Sequence, residues 1–417
     1  MSTTEKHPGA GAIDVIDTLL GSSAIEQLRH RRADVRQATQ GSFYALLGPA
    51  AEVAGLSSVE RELVALRVAL LQHDGLLAAF YGQRAQACGA DAALLLVTKV
   101  QPAFSPGDSR WSSILRFVDR LTLTPAAAQV NHLAELLQRG LSAVDIVTLA
   151  QLIAFVNYQV VLLAGLRALN VPTRTPPAAA PESESNTLLK GHHAVQASSP
   201  ASRGFTIDAL DWAAWLPTVH LEQASAEQLV VLAESHASAA SSPYYLTLVH
   251  NPTVLRQRSR LFNAIMYGTG GLPRAERELA TLGVSLTNGC PYCASVHARL
   301  FVQLSKEPQV IDDLFEQGVN AALTPRRRAI LDLAIVLSAK PPVAPVAQVQ
   351  TLRSLGLDEL QVLDAIHAAA IFAWANRLMQ TLGQPVLSHV DRASDSPAAP
   401  AAPPATQAHE KALTARV

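Results

Sequence analysis

Cysteine is nearly absent from this 417-residue chain, with three residues in all. Three thiols cannot make a disulfide framework, so the fold must rest on an ordinary hydrophobic core. A charge imbalance is also lacking. The 33 Lys and Arg nearly match the 34 Asp and Glu, the formal net charge is −1, and no strong basic block occurs. Nucleic-acid binding as the main role is therefore unsupported. Aromatic residues are only 5%, and β-branched runs are short. The abundance of Ala and Leu then favours helices. No run of about 18 uncharged apolar residues stands out, so no membrane-spanning helix is expected. The N-terminal MSTTEKHPGAGAIDVID has no basic region followed by an apolar core, as a secretory signal would. A cytoplasmic location is expected. No haem, flavin or nicotinamide motif is evident. The glycine string YGTGGLP, beginning at Tyr267, follows no strand and so is a poor dinucleotide fingerprint. No cofactor is expected. The string reads instead as a loop at a pocket entrance.

What the chain does contain is an internal repeat. Glu60-Arg61-Glu62-Leu63 returns as Glu276-Arg277-Glu278-Leu279, 216 positions later. The same offset relates Ile114-Leu115 to Ile330-Leu331, Gly140-Leu141 to Gly356-Leu357, and Tyr158 to Trp374. A constant offset over about a hundred residues implies duplication of a whole domain, since the period is too long for a solenoid. The expected organisation is all-α, with two tandem helical bundles. Residues 1–170 form the first, 171–204 a Pro/Ala/Ser-rich linker, 205–393 the second, and 394–417 a disordered tail.

Two of the three cysteines fall in one tetrapeptide, Cys290-Pro291-Tyr292-Cys293. Leu279, Leu282 and Leu286 form an apolar stripe ahead of it. Asn288-Gly289 stops that helix, and Pro291 suits the first turn of the next. At a helix start the spacing brings the two sulfurs close enough for a reversible disulfide, and the helix N-terminus lowers a thiol pKa. His297 lies one turn after Cys293 and can take its proton. Glu278, at the edge of the stripe, is expected half-buried and able to orient His297. Zinc would need a second Cys or His pair, which the neighbourhood lacks, so no metal is expected. CPYC is also the glutaredoxin tetrapeptide, but there it follows a strand, and the residues before it here read as an amphipathic helix. Cys88 has no cysteine partner in sequence and reads as a buried small hydrophobe.

Glu278-x11-Cys290-x2-Cys293-x3-His297 resembles the redox signature of the AhpD-like alkylhydroperoxidase and carboxymuconolactone decarboxylase superfamily. The context NGCPYCASVHARL and the late AAAIFAWANRLMQTLG resemble its peroxidase-related branch. The resemblance covers roughly 255–385, and a weaker version covers 40–170. It implies thiol-dependent reduction of small hydroperoxides, a peroxiredoxin-like activity. Cys293 would attack, and its sulfenic acid would condense with Cys290. A thioredoxin-like or lipoyl dithiol protein would restore the pair, and the protein would form homo-oligomers. The founding members carry His inside the tetrapeptide, where this chain has Tyr292. The helix-end field leaves Cys290 open as the more reactive thiol.

At the same offset the first half has Glu62, Asp74, Leu77 and Tyr81 for Glu278, Cys290, Cys293 and His297. With both signature thiols and the imidazole replaced, this corner can do no such thiol redox chemistry. Glu62, His73 and Asp74 could make an acid–base site, or this half could shape the other's pocket or an oligomer surface. The rival functions are an acid–base lactone enzyme of the decarboxylase type and a non-catalytic redox sensor or scaffold.

Overall fold

A computed structural model describes residues 14–49, 51, 55–99, 109–172 and 204–387. The expected tail and nearly all of the expected linker lie outside them. The first half contains α1 (Val15–Leu20), α2 (Ser23–His30), α3 (Ala33–Leu47), α4 (Ser58–Leu71), α5 (Gly75–Ala87), α6 (Ala92–Lys99), α7 (Arg110–Leu123), α8 (Val130–Gln138) and α9 (Ala143–Leu169). The second contains β1 (Leu210–Ala214), α10 (Ala226–Ser235), α11 (Pro243–Leu248), α12 (Pro252–Tyr267), α13 (Arg274–Asn288), α14 (Pro291–Ser305), α15 (Pro308–Gln317), α16 (Pro325–Leu337), α17 (Val346–Ser354), α18 (Glu359–Thr381) and β2 (Gly383–Leu387). The protein is all-α apart from the small sheet of β1 and β2.

Helices starting at 58, 75, 92, 130 and 143 recur at 274, 291, 308, 346 and 359, each 216 residues later. Their caps recur as well. At α9, Ser142 and Asp145 form a capping box, and at α18 Asp358 and Gln361 do the same. Such a box satisfies two of the backbone donors that a helix start leaves without partners.

The described residues up to Val386 pack as one compact unit, built around α9 against α18. Gly165 allows the close approach, because a Cβ there would stand 2.4 Å from Ile366 Cγ2. At the centre the repeat-related Tyr158 and Trp374 meet with ring centroids 5.9 Å apart, and Phe155 packs edge-on to Trp374. Two arginines strap the halves together. Arg32 makes a two-pronged ion pair with Asp364 and donates to the carbonyls of Thr269 and Gly270. Arg377 reaches back to the carbonyls of Leu121 and Thr122.

One expectation needs correction. α9 has a window of mean hydropathy 1.9 and is long and apolar enough to cross a membrane, yet that window is wholly buried inside the protein. Three amides interrupt the run in the sequence, and the oxygen of each accepts a hydrogen bond within the core, while the Gln151 Nε2 is buried without a partner. Gln151 accepts from Trp374 Nε1 (2.8 Å), Asn157 from Gln72 (2.7 Å) and Gln159 from the Tyr81 hydroxyl (2.5 Å). Buried polar groups are retained at little cost when they are paired in this way.

Candidate active site

The CxxC segment is held at a helix-to-helix corner. α13 ends where Gly289 adopts the left-handed conformation (φ 68°), which glycine enters without steric penalty. The Cys290 N–H donates to the Ser285 carbonyl at 2.9 Å. Cys290 is the N-cap of α14, Pro291 occupies its first position, and Cys293 lies in its first turn. Both sulfurs therefore sit where the helix presents its unpaired N–H groups. Both cysteines are free thiols and both are buried.

One turn along α14, His297 Nδ1 is 2.5 Å from Glu278 Oε2. Glu278 comes from α13, which packs against α14. Its carboxylate is wholly buried rather than half-buried, and its other oxygen accepts from Arg274 Nε. Burial pushes the Glu278 carboxyl up, but His297 and Arg274 outweigh it and hold the group below the usual carboxylate range. The imidazole stands edge-on to Phe372 of α18, centroids 4.4 Å apart. Arg274 stacks over Tyr267 at 4.2 Å. It also lines a cavity of about 390 Å³ along the 267–273 glycine loop, which accords with the expected entrance.

The thiols are less simply tuned than a helix end alone implies. Burial pushes the Cys290 thiol well up, and the neighbouring Cys293 pushes the same way. The Cys293 N–H and the Asn376 side chain pull down but are outweighed. For Cys290, desolvation of the thiolate thus outweighs the downward pull of these two hydrogen bonds. Asn376 belongs to a polar brace that sequence reasoning missed. Its amide donates to Ser285 Oγ (3.2 Å) and its oxygen accepts from Asn288 (3.1 Å). Gln380 then clamps the Asn288 and Gly289 carbonyls at 2.9 and 2.8 Å. No local spacing signals these contacts, since α18 lies about ninety residues downstream. Arg274 was readable as a partner four residues before Glu278 on one helix.

The corresponding corner of the first half is closed by ion pairs. Glu62 is bound in two-pronged fashion by Arg84. Asp74 caps α5 through the Leu77 N–H and pairs with Arg167 at 2.8 Å. Tyr81 bonds Gln159, and His73 is exposed. Glu62, His73 and Asp74 are therefore not assembled as an acid–base trio. Cys88 also departs from expectation. It is exposed at the C-cap of α5, where its N–H bonds the Arg84 carbonyl, rather than buried.

Residues 252–336 match the carboxymuconolactone decarboxylase family. This stretch of the second half is thus similar to the carboxymuconolactone decarboxylase family. The matched segment spans α12 to α16 and includes all four signature residues. No curated protein matches the chain. A similar solved structure is the alkylhydroperoxidase AhpD core, an uncharacterized peroxidase-related protein from Ralstonia eutropha JMP134. It shares 29% identity over 39% of this chain and 85% of that one, with a TM-score of 0.34.

Proposed function

We propose that the protein reduces small organic hydroperoxides with the Cys290/Cys293 dithiol, using His297 and Glu278 as its proton relay. The observation that carries this reading is the 2.5 Å contact between Glu278 and His297, one helical turn from a free, buried thiol pair. Cys293 gives its proton towards His297, and the thiolate sulfur attacks the outer peroxide oxygen. The S–O bond forms as the O–O bond breaks, and the alcohol leaves with the proton. Cys290, whose thiol burial keeps protonated, then attacks the sulfenic sulfur, releasing water and forming the disulfide. A dithiol donor such as a thioredoxin-like or lipoyl protein reduces it again by exchange.

The test is hydroperoxide consumption by the reduced protein with excess dithiol. Cys293→Ser abolishes it, whereas Cys290→Ser retains a single turnover that ends in a sulfenic acid. Wild-type protein that leaves hydroperoxide untouched and keeps both thiols free overturns the reading. The family match supports a second reading, acid–base chemistry on a lactone, for which Glu278 and His297 suffice without thiols. Lactone turnover that survives Cys293→Ser would select it.

A further inference from the structure

The cavity under the glycine loop presents donors that the relay leaves unused. Arg274 lines it together with Arg277, Met266, Tyr267, Leu272 and Pro273, and no carboxylate does so among the described residues. Arg274 donates to Glu278 through Nε alone. Its two terminal nitrogens have no acceptor among the described residues. The side chain is 24% exposed, so the open end of its fork can be reached from outside. The ring of Tyr267, itself exposed, stacks on the guanidinium with its centroid 4.2 Å away and fixes the plane of the fork.

The other arginines at the loop are already engaged. Arg277 places all three nitrogens on the carbonyls of Leu272, Ile265, Met266 and Gly270. Arg32 takes Asp364 and the carbonyls of Thr269 and Gly270. Asp364 lies 3.8 Å from Arg277 as well. Three guanidiniums, Arg32, Arg274 and Arg277, thus meet two carboxylates, Asp364 and Glu278, and Glu278 also serves His297. The contact set is one negative charge short. Arg277 registers the shortfall. Burial pushes its guanidinium down, Asp364 opposes this, and Arg32 and Arg274 add to the fall. The first half shows a closed alternative. There Arg84 turns both Nε and Nη2 onto Glu62, and Nη2 also reaches the Leu47 carbonyl. Ser58 stands where Arg274 stands in the repeat.

We propose that this cavity binds a small organic carboxylate, gripped by the two terminal nitrogens of Arg274 while Nε stays on Glu278. The planar fork of a guanidinium matches the two oxygens of a carboxylate. Met266, Leu272, Pro273 and the Tyr267 ring offer an apolar wall to the carbon skeleton, which favours an organic acid over a bare inorganic anion. The volume of about 390 Å³ suits an acid of several carbons. Through Arg274 and Glu278 the bound acid is linked by hydrogen bonds to His297. Binding itself requires no thiol chemistry. The acid is either one end of a substrate or a separate molecule that adjusts the relay.

The test is calorimetric titration of the full-length protein with hexanoate, with hexanamide as the uncharged control. Arg274→Gln should weaken hexanoate about 10- to 100-fold, the equivalent of hydrogen bonds to a charged group, and hexanamide should bind the wild type comparably weakly. Arg274→Gln also releases Glu278, so its urea midpoint is measured alongside. Tyr267→Ala, at an exposed ring, supplies a second variant and should weaken hexanoate a few-fold. No binding of hexanoate to the wild type, hexanamide or formate binding as tightly as hexanoate, or full affinity in either folded variant would overturn the proposal. Turnover separates the two sources of the acid, on the peroxidase reading above. Hexanoate that raises KM only for a hydroperoxide bearing a carboxylate marks the acid end of a substrate, and a changed kcat on cumene hydroperoxide marks a separate effector. Either supports the site. Protein that binds hexanoate yet consumes no hydroperoxide keeps the site and overturns the peroxidase reading alone.

Discussion

Replacing Glu278 by Gln tests the centre of the site, because it keeps the shape and removes only the charge. The wild-type carboxylate accepts from His297 on one oxygen and from Arg274 on the other, and is wholly buried. A hydrogen bond to a charged group contributes about 1.5–3 kcal/mol. Gln can still accept one of the two, but its amide NH2 then faces the other donor. The Arg274 side chain is 24% exposed, so its share is discounted for solvent. The expected loss is about 2–3 kcal/mol at pH 7, below the roughly 3–5 kcal/mol of a fully buried pair broken on one side. The sign with pH follows from the depressed Glu278 carboxyl. Its contribution is complete above the unfolded value of about 4.3 and is lost as pH falls through the folded value. Urea unfolding of both proteins from neutral pH into acid should therefore show a gap that closes below about pH 4. Equal stability at pH 7, or a gap that widens in acid, would refute the pairing. Hydroperoxide turnover in the same samples should fall about 10²- to 10⁴-fold, the usual range of a lost general acid–base function.

Two further changes probe the frame that carries the site. Gly165→Ala drives a methyl into Ile366 between α9 and α18, and should lower the urea midpoint by the equivalent of about 1–3 kcal/mol, the usual cost of overpacking. Arg32→Met removes the strap to Asp364 and to the Thr269 and Gly270 carbonyls. It should cost about 2–4 kcal/mol and speed proteolytic cutting within 267–273, read by mass spectrometry of the fragments.

The backbone of the site was legible because it depends on neighbours in sequence. Asn288-Gly289 stops one helix, Pro291 opens the next, and the spacing of Glu278, Cys290, Cys293 and His297 then brings them to one corner. What was illegible comes from elements far along the chain. Asn376 and Gln380 brace the corner from α18, neither at a spacing that marks a partner. Burial was misjudged for a related reason. Glu278 is at the edge of its own helix stripe, but α18 also packs on that helix and closes over the edge. Cys88 errs the other way, because a cap residue is set by the end of its helix rather than by its polarity. α9 was overlooked as a long apolar helix because three amides break its run, and only the folded core supplies their partners.

The two corners show how little separates a redox site from a structural one. Both keep a buried carboxylate at the same place in the repeat, Glu278 in one half and Glu62 in the other. In the second half its partner on the facing helix is the imidazole of His297. In the first half Tyr81 occupies that position and is turned to Gln159, and the carboxylate is taken by Arg84 three residues on. A guanidinium never releases its proton under these conditions. Burial leaves the Glu62 carboxyl raised in spite of Arg84, whereas Glu278 is held low. At the helix start, Asp74 stands where Cys290 stands and does what an N-cap carboxylate does, binding the Leu77 N–H and an arginine. The helix start that carries a thiol in one half thus carries a carboxylate in the other. On the function proposed above, the same scaffold carries a reactive corner where it presents thiols and an imidazole, and an inert one where carboxylate and guanidinium close it.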